Sequence, residues 1–480
     1  MLSTGFQGQN HNPLFVDLDG TLVRTDLLVE STFSLLKQNI FYLFLLPWWL
    51  LRGRANLKQQ IAQRVTIDPT TLPYQADLLK TLYERRKLGG RLILITASPY
   101  QFANAIAEHL GIFDQVVASD HDQNLKGDKK LDVIHQVSGG EPFDYAANAS
   151  ADLAVWREAS RAILVNPGPG VVRAVRKAGT DWELLSDPDR NSPRDFAKAL
   201  RLHHWLKNVL VFVPLMLAHR LDEATLIVGA LVAFLSFGLS ASSVYLLNDL
   251  LDLPSDRRHP SKRCRPLASG QISVEYAALL VPTLFMAGMA CALFLPPAFV
   301  LTLSAYLLLT LAYSLRLKHA IILDVLVLAA LYTLRLIAGA AATSVVPSFW
   351  LLSFSMFLFL SLALVKRFSE LKLHSDRHAG VAVRGYTDDD LPMLSQLGSA
   401  SAMMSVLVLA LYINSDTVTV LYQHPQVIWL ICPLLLYLVS RVWLLAHRNR
   451  LDEDPVIFII RDRRSHWLAV IGILLLWIAS

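Results

Sequence analysis

Five stretches of the chain, residues 224 to 247, 276 to 315, 336 to 365, 391 to 415 and 417 to 440, contain no Asp, Glu, Lys or Arg. A helix crossing roughly 30 Å of hydrocarbon needs about 20 such residues. Lipid offers no water to satisfy an open backbone, so the rear of this chain is restricted to membrane helices. Residues 1 to 200, by contrast, carry charge throughout. The averages of 54% hydrophobic and 17% charged residues over 480 positions therefore describe a water-facing front joined to a membrane rear. Cys264, Cys291 and Cys432 lie far apart without metal-ligand spacing, which indicates neither a disulfide framework nor a zinc site. The net charge of +5 is modest, and no nucleic-acid partner is expected. The opening residues, polar up to Asn12, lack the basic-then-apolar order of a signal peptide, so the front is expected in the cytosol.

Apolar length predicts about nine membrane helices, near 202 to 219, 224 to 247, 275 to 294, 297 to 315, 321 to 343, 348 to 365, 394 to 414, 426 to 446 and 465 to 479. The first and last are short and need tilt or snorkelling flanks. Cations fall on alternate connections: Arg257 to Arg265, then Arg316 and Lys318, then Lys366 to Arg384 with Arg377 among them, then Arg448 to Arg464. Cation-rich loops stay on the cytoplasmic side. The expectation is a multi-pass protein of the inner, cytoplasmic membrane whose polar loops share a side with the front domain.

In the front, the apolar run Leu14 to Leu18 leads into Asp17-Leu18-Asp19-Gly20-Thr21, two carboxylates at the carboxyl end of a strand. A second strand, Arg91 to Ile95, ends in Thr96-Ala97-Ser98. Helices over 74 to 88 and 100 to 110 alternate with strands and predict a parallel sheet whose ligands bind beyond the strand ends. These motifs resemble the haloacid-dehalogenase-like phosphatase superfamily, a Rossmannoid α/β fold. The resemblance implies that Asp17 is a nucleophile, Asp19 an acid/base, Thr96 a phosphoryl ligand and Lys130, or else Lys126, a charge clamp. It also implies magnesium on Asp17 and Asp152. Where the family has a pattern like GDSxxD, this chain has Ala147-Asn148-Ala149-Ser150-Ala151-Asp152, so one metal-binding carboxylate is an amide. Residues 40 to 51, with Phe41, Tyr42, Phe44, Trp48 and Trp49, are too few to span and are read as lying in the membrane interface, Arg52 and Arg54 on phosphates. A buried core helix is the competing reading. The front domain is placed at 1–195 and the membrane domain at 196–480.

At the inner end of the second span stands Asn248-Asp249-Leu250-Leu251-Asp252-Leu253-Pro254-Ser255-Asp256. Spacings of i, i+3 and i+7 put Asp249, Asp252 and Asp256 on one helical face, with a kink at Pro254. Three adjacent carboxylates call for a hard divalent cation, and magnesium bridging to a diphosphate suits them. Arg257, Arg258, Lys262, Arg263 and Arg265 follow and offer phosphate oxygens direct partners. A solvated membrane margin is the plainer alternative.

This NDxxDxxxD pattern and the segment His259 to Gly270 look like the UbiA-type intramembrane prenyltransferase superfamily, over roughly residues 200 to 480. The resemblance implies a polyprenyl diphosphate held through magnesium on two aspartate-rich loops. The second acidic cluster is missing in its usual form: the loops after the fourth and sixth spans carry Lys318 and Asp324, and Lys366, Arg367 and Glu370. Trp205-Leu206-Lys207-Asn208, YSxxLKxxxxxDV from Tyr313 to Val325, Arg335 and KRxxEL from Lys366 to Leu371 are similar to the polyprenyl-phosphate (decaprenyl-phosphate) phosphoribosyltransferase branch. That branch transfers 5-phosphoribose from phosphoribosyl pyrophosphate to a lipid phosphate for cell-wall synthesis. The resemblance implies that Asn248, Asp249, Asp252 and Asp256 serve the magnesium pyrophosphate, while Lys262, Arg263 and Arg265 screen the departing charge. Lys318, Lys366 and Arg367, with Lys207 and Tyr313, then hold the 5-phosphate or lipid phosphate. Asp324 and Glu370 either orient these cations or meet ribose hydroxyls. Arg335, a cation within a span, is functional or else paired with Asp324. Two rivals stand beside this reading: prenyl transfer from a diphosphate to an aromatic acceptor resembling 4-hydroxybenzoate, and a non-catalytic lipid-binding or transport protein. The fusion suggests that the front phosphatase removes the 5-phosphate from the lipid product. A homo-oligomer is left open.

Overall fold

The structure is a computed structural model that describes residues 12–119, 125, 127–168, 170–186, 191–375, 384–415, 422–451 and 454–479. Lys126 and Arg377 lie outside the described residues. The chain divides into two compact units, Met1–Leu200 with Tyr245–Val281, and Arg201–Val244 with Pro282–Ser480.

The first unit is built on a six-stranded sheet of β1 (Leu14–Val16), β2 (Leu92–Pro99), β3 (Gln115–Ser119), β4 (Asp144–Ala147), β5 (Arg161–Val165) and β6 (Asp181–Leu185) in the order β3-β2-β1-β4-β5-β6. All pairings are parallel, with Leu14 opposite Leu92 on one side and Asp144 on the other. Strands covered on both faces need near-continuous apolar runs, and β1 (Leu-Phe-Val) and the start of β2 (Leu-Ile-Leu-Ile) are such runs. Alternate residues feed opposite layers. Leu14, Val16, Leu92 and Leu94 pack with Phe102 and Ile106, whereas Phe15, Ile93 and Ile95 pack with Tyr145 and Trp156. Helices Ala76–Lys87 and Tyr100–Leu110 match the expected crossovers. The winding reverses between β1 and β4, the place where such sheets bind ligands.

The Tyr42–Leu51 helix leaves Phe41, Phe44, Trp48 and Leu51 exposed while burying Trp49. It is therefore not the buried core helix of the competing reading. Arg52 lies over the Trp48 ring at 5.2 Å.

Among the described residues, seven helices are long and apolar enough to cross a membrane: Ala224–Leu251, Val274–Ala292, Pro297–Leu315, Leu323–Ala342, Phe349–Leu373, Asp388–Ile413 and Gln426–His447. They correspond to seven of the nine expected. The run near 202 to 219 forms a tight 3-10 stretch, Leu202–Phe212, and then a helix of 5 residues, Val213–Leu217, entered through Pro214, which has no N–H to continue the earlier turn. The last run is a helix of 17 residues, Arg463–Ala479, under the length of a full span. In the second unit Leu323–Ala342 is the most enclosed span. A Cβ at Gly339 would stand 1.9 Å from the Val211 carbonyl oxygen, so only glycine lets the 3-10 stretch lie against this helix.

Candidate active sites

In the first unit β1 delivers Asp17 to the winding reversal, and β4 leads to Asn148 and Asp152 beside it. Gly20 holds φ +73, and a Cβ there would fall 2.2 Å from Asn148 Nδ2, so the turn that follows Asp19 requires glycine. Lys130 Nζ donates to Asp17 Oδ1 at 2.8 Å, Tyr145 Oη at 2.9 Å and Asp152 Oδ1 at 3.2 Å, and the Tyr145 hydroxyl donates to Asp152 at 2.8 Å. Every ammonium proton is used, as burial of a charge demands. Burial would discharge Lys130, but Asp17 and Asp152 outweigh it and raise its pKa. Burial pushes Asp17 up against the pull of Lys130, and pushes the Tyr145 phenol up as well. Asp17 and Asp152 already share one cation, the arrangement that magnesium uses when phosphate oxygens complete its shell. These two would hold the ion. Thr96 is fully buried, its hydroxyl accepting from Ser98 N at 3.0 Å.

Asp19 accepts from Leu27 N at 2.9 Å and from Ser98 Oγ at 2.5 Å. Burial above all, with Asp26 adding to it, pushes its carboxyl up to about 7 from 3.8. The native state thus binds this proton more tightly than the unfolded chain. Its stabilisation is complete below the unfolded value of 3.8 and is lost as pH rises through about 7. Thermal unfolding of the wild-type chain is expected to shift downward between about pH 5 and about pH 8, and Asp19→Asn is expected to flatten that slope. Identical slopes in the two chains would refute this assignment.

The acidic motif is also carried by the first unit. Ala224–Leu251 ends just after Asp249, and Leu253–Arg258 begins with Pro254 in its first turn and Asp252 as its cap. The expected kink falls at Asp252, where the two helices meet, and helical backbone bonds from Asp252 N to Asn248 O at 2.9 Å and from Asp256 N to Asp252 O at 2.8 Å run through it. Arg265 Nη1 donates to Asp256 Oδ2 at 2.5 Å and to Asp249 Oδ1 at 3.1 Å, whereas Asp252 Oδ1 accepts from Lys37 Nζ at 2.6 Å. Among the described residues, no three His, Cys, Asp or Glu side chains gather closely enough to hold an ion alone. Magnesium needs only one or two carboxylates where phosphate oxygens supply the rest. Asp249 and Asp256, converging on one nitrogen, fit that requirement. Asn248 lies in the last turn of the preceding helix, and Lys262 and Arg263 are exposed on a short 3-10 turn. Arg257 is buried against Glu30 and the Ala268 carbonyl, and Arg258 pairs with Asp68 at 2.9 Å.

In the second unit, Lys207 Nζ and Lys366 Nζ both donate to Asp454 Oδ2, at 2.6 and 3.2 Å, and the Tyr332 hydroxyl donates to Oδ1 at 3.0 Å. Asp454 caps the helix Pro455–Arg461 by accepting from Val456 N at 3.2 Å. Burial opposes its charge, yet Lys366 and then Lys207 hold it well below the usual carboxylate range. Two lysines on one carboxylate leave the group net positive. The Lys366 side chain is 31% exposed and that of Lys207 8%, so Lys366 is the more open to an anion.

Arg367 differs from its neighbour. Its side chain is fully buried, Nε donates to Asp324 Oδ2 at 2.8 Å, and a second bond goes to Glu370. The Tyr386 hydroxyl donates to Asp324 Oδ1 at 2.6 Å and accepts from Ile322 N at 2.7 Å. Arg367 is thus an internal strut and not the open phosphate ligand expected, and both Asp324 and Glu370 bond to it. Arg335 donates to Asn208 Oδ1 at 3.1 Å, the Leu331 carbonyl at 2.6 Å and the Tyr306 hydroxyl at 2.8 Å, while Asp324, its alternative partner, serves Arg367. Lys318 is half-buried in the turn Leu317–His319, and the Tyr313 hydroxyl accepts from Arg384 Nη1 at 2.8 Å.

Sequence reasoning missed Asp454, Tyr332, Tyr145, Glu30 and Lys37. Only Asp454 had a local signal, an Asp-Pro pair opening an apolar run, which marks a helix start and says nothing of lysines far away in the chain.

Residues 209–477 match the model of the UbiA prenyltransferase family, and residues 14–162 match that of haloacid dehalogenase-like hydrolases. The uncharacterized protein y4nM of Sinorhizobium fredii is 39% identical over 465 residues, covering 96% of this chain and 89% of that protein. Nodulation protein NoeC of Azorhizobium caulinodans is 34% identical, covering 56% of this chain and 88% of its own length. Decaprenyl-phosphate phosphoribosyltransferase of Mycobacterium tuberculosis is 33% identical over 230 residues, 46% of this chain and 76% of that enzyme. With more than half of its length inside the first match, the chain belongs to the UbiA prenyltransferase family, as an integral membrane transferase with a haloacid-dehalogenase-like domain at its N-terminus.

Proposed function

We propose that the chain transfers 5-phosphoribose from phosphoribosyl pyrophosphate to a polyprenyl phosphate, in a magnesium-dependent reaction at the inner face of the cytoplasmic membrane. The observation that carries this reading is the Lys207–Asp454–Lys366 group, a net-positive centre in the membrane unit of a family member that also keeps the acidic pair Asp249 and Asp256. Prenyl transfer to an aromatic ring involves a single diphosphate. Phosphoribosyl transfer involves a pyrophosphate, a 5-phosphate and a lipid phosphate, and so calls for cations beyond the metal site. The 33% identity to an enzyme of that name supports the choice.

Chemically, a lipid-phosphate oxygen attacks C1 of the ribose while the C1–O bond to pyrophosphate breaks. The nucleophile is already an anion, so no strong base is required; alignment and charge stabilisation supply the rate. A magnesium ion held by Asp249 and Asp256 would offset the charge gathering on the leaving pyrophosphate. Arg265, Lys262 and Arg263 supply direct donors to the same oxygens. Lys366, with Lys207 behind it, binds the 5-phosphate or the lipid phosphate. The front domain faces the cytosol, with the Tyr42–Leu51 helix in the membrane interface. Its site favours phosphomonoester hydrolysis, because Asp19 keeps a proton near neutral pH for the leaving oxygen while Asp17 attacks phosphorus.

Membranes containing the chain, given labelled phosphoribosyl pyrophosphate and polyprenyl phosphate, are expected to form a labelled lipid that mass spectrometry identifies as the phosphoribosyl adduct. A prenylated aromatic acid in its place would select the rival transfer. Bound lipid with no product from either donor would select a carrier without chemistry.

A further inference from the structure

The helix Leu27–Gln38 follows the DxDGT turn directly and belongs to the haloacid-dehalogenase-like part, yet it bonds to the acidic loop at two places. Glu30 accepts from Arg257 Nη1 at 2.6 Å and Nη2 at 3.0 Å, with both side chains buried. Thr25 Oγ1 donates to the same carboxylate at 3.0 Å, and Arg257 Nε reaches the Ala268 carbonyl at 3.1 Å. Seven residues on, Lys37 Nζ meets Asp252 Oδ1 at 2.6 Å. Positions i and i+7 share a helix face about 10.5 Å apart. That face presents a carboxylate and an ammonium to a loop presenting Arg257 and Asp252, a pairing of opposite signs that only one register satisfies.

The two contacts differ in permanence. The bidentate Glu30–Arg257 pair is sealed from water, and loss of either partner would strand a buried charge. The Lys37–Asp252 pair is open, with side-chain exposures of 46% and 34%, and such pairs exchange partners at little cost. A lysine pinned by its helix and held at its tip only by this open pair with a carboxylate of the NDxxDxxxD motif stands where a pyrophosphate oxygen would compete for it. An oxygen of a polyanion wins that competition over a single exposed carboxylate.

We propose that Lys37 is a pyrophosphate-binding residue of the transferase, contributed by the front domain, and that Glu30 is the positioning residue that keeps its helix seated on the acidic loop. Before the donor binds, Lys37 offsets the charge of Asp252; with the donor bound, it bonds to the leaving group. The front domain is thus part of the transfer machinery as well as a site of its own. This rests on the reading of Asp249 and Asp256 as the seat of a magnesium pyrophosphate.

The test is calorimetric titration of magnesium pyrophosphate into the purified full-length chain in detergent, which needs no turnover. Lys37→Ala is expected to weaken binding about tenfold, and Lys37→Arg to restore most of it. In the transfer assay Lys37→Ala is expected to raise KM for the donor more than it lowers kcat. Glu30→Gln should weaken binding with Lys37 intact, the mark of a residue acting through another. If Lys37→Ala binds like wild type while Asp249→Asn does not bind, the role of Lys37 is refuted and the acidic-loop reading stands. If the wild-type chain binds no magnesium pyrophosphate, both fall together.

Discussion

Asp249→Asn and Asp256→Asn are each expected to lower lipid product formation by about a thousandfold while leaving the chain folded. Asparagine keeps the shape of aspartate but removes the charge that a hard cation needs, and Asp249 and Asp256 are the two carboxylates that already meet at one point, Arg265 Nη1. Folding tolerates either change because Arg265 is part-exposed and keeps the other carboxylate. Asp252→Asn should cost far less, about tenfold, since Asp252 faces Lys37 and not Arg265. Excess magnesium should partly restore the Asp256→Asn enzyme. The measurement is initial rate of labelled lipid against magnesium concentration, and wild-type rates in the Asp249 and Asp256 variants would remove the acidic loop from the mechanism.

The second large effect concerns stability. Asp324 and Arg367 are fully buried; removing Arg367 leaves Asp324 charged with only the neutral Tyr386 hydroxyl, and removing Asp324 leaves Arg367 held by the part-exposed Glu370 alone. Asp324→Asn or Arg367→Met is expected to destabilise the chain by about 3–5 kcal/mol. The double variant should recover part of the loss, because removing both charges together is far cheaper than stranding one. Lys366→Met, one residue earlier on the same helix, should behave in the opposite way. Asp454 retains Lys207, so unfolding is expected to change little while binding of the anionic substrate falls. Thermal unfolding in detergent alongside the transfer assay separates the two. An Asp324→Asn chain as stable as wild type would show that the pair is not the strut its burial indicates.

Adjacent cations with opposite fates illustrate what a linear pattern leaves undecided. Lys366 and Arg367 stand together in a motif that resembles a substrate-binding one, and the pattern marks both as phosphate ligands. Helical geometry turns neighbours about 100° apart, so one reaches Asp454 and the other the buried Asp324. Similarly, the i, i+3, i+7 spacing of the acidic motif gives its three carboxylates one role, whereas Asp249 and Asp256 meet at Arg265 and Asp252, at the junction of two helices, meets Lys37. The phosphatase-like site was more legible, since Asp17 and Asp152 follow β1 and β4, Thr96 lies late in β2 and Lys130 opens the helix Asp128–Ser138, elements whose order the parallel sheet dictates. Tyr145, pointing from the middle of β4, carries no motif and came to light only through its bonds to Lys130 and Asp152.

By itself the sequence determined the division into a charged front and an apolar rear, the parallel α/β sheet, most of the membrane helices and both acidic motifs. Each of these depends on composition or spacing within about 20 neighbouring residues, the scale on which hydrophobic burial and backbone geometry act. Only the tertiary structure decided that Lys207 and Lys366 share Asp454, that Arg367 is sealed inside the bundle, and that Lys37 and Glu30 grip the acidic loop. Charges far apart in the chain find one another through the path of the backbone, and no local pattern records that path.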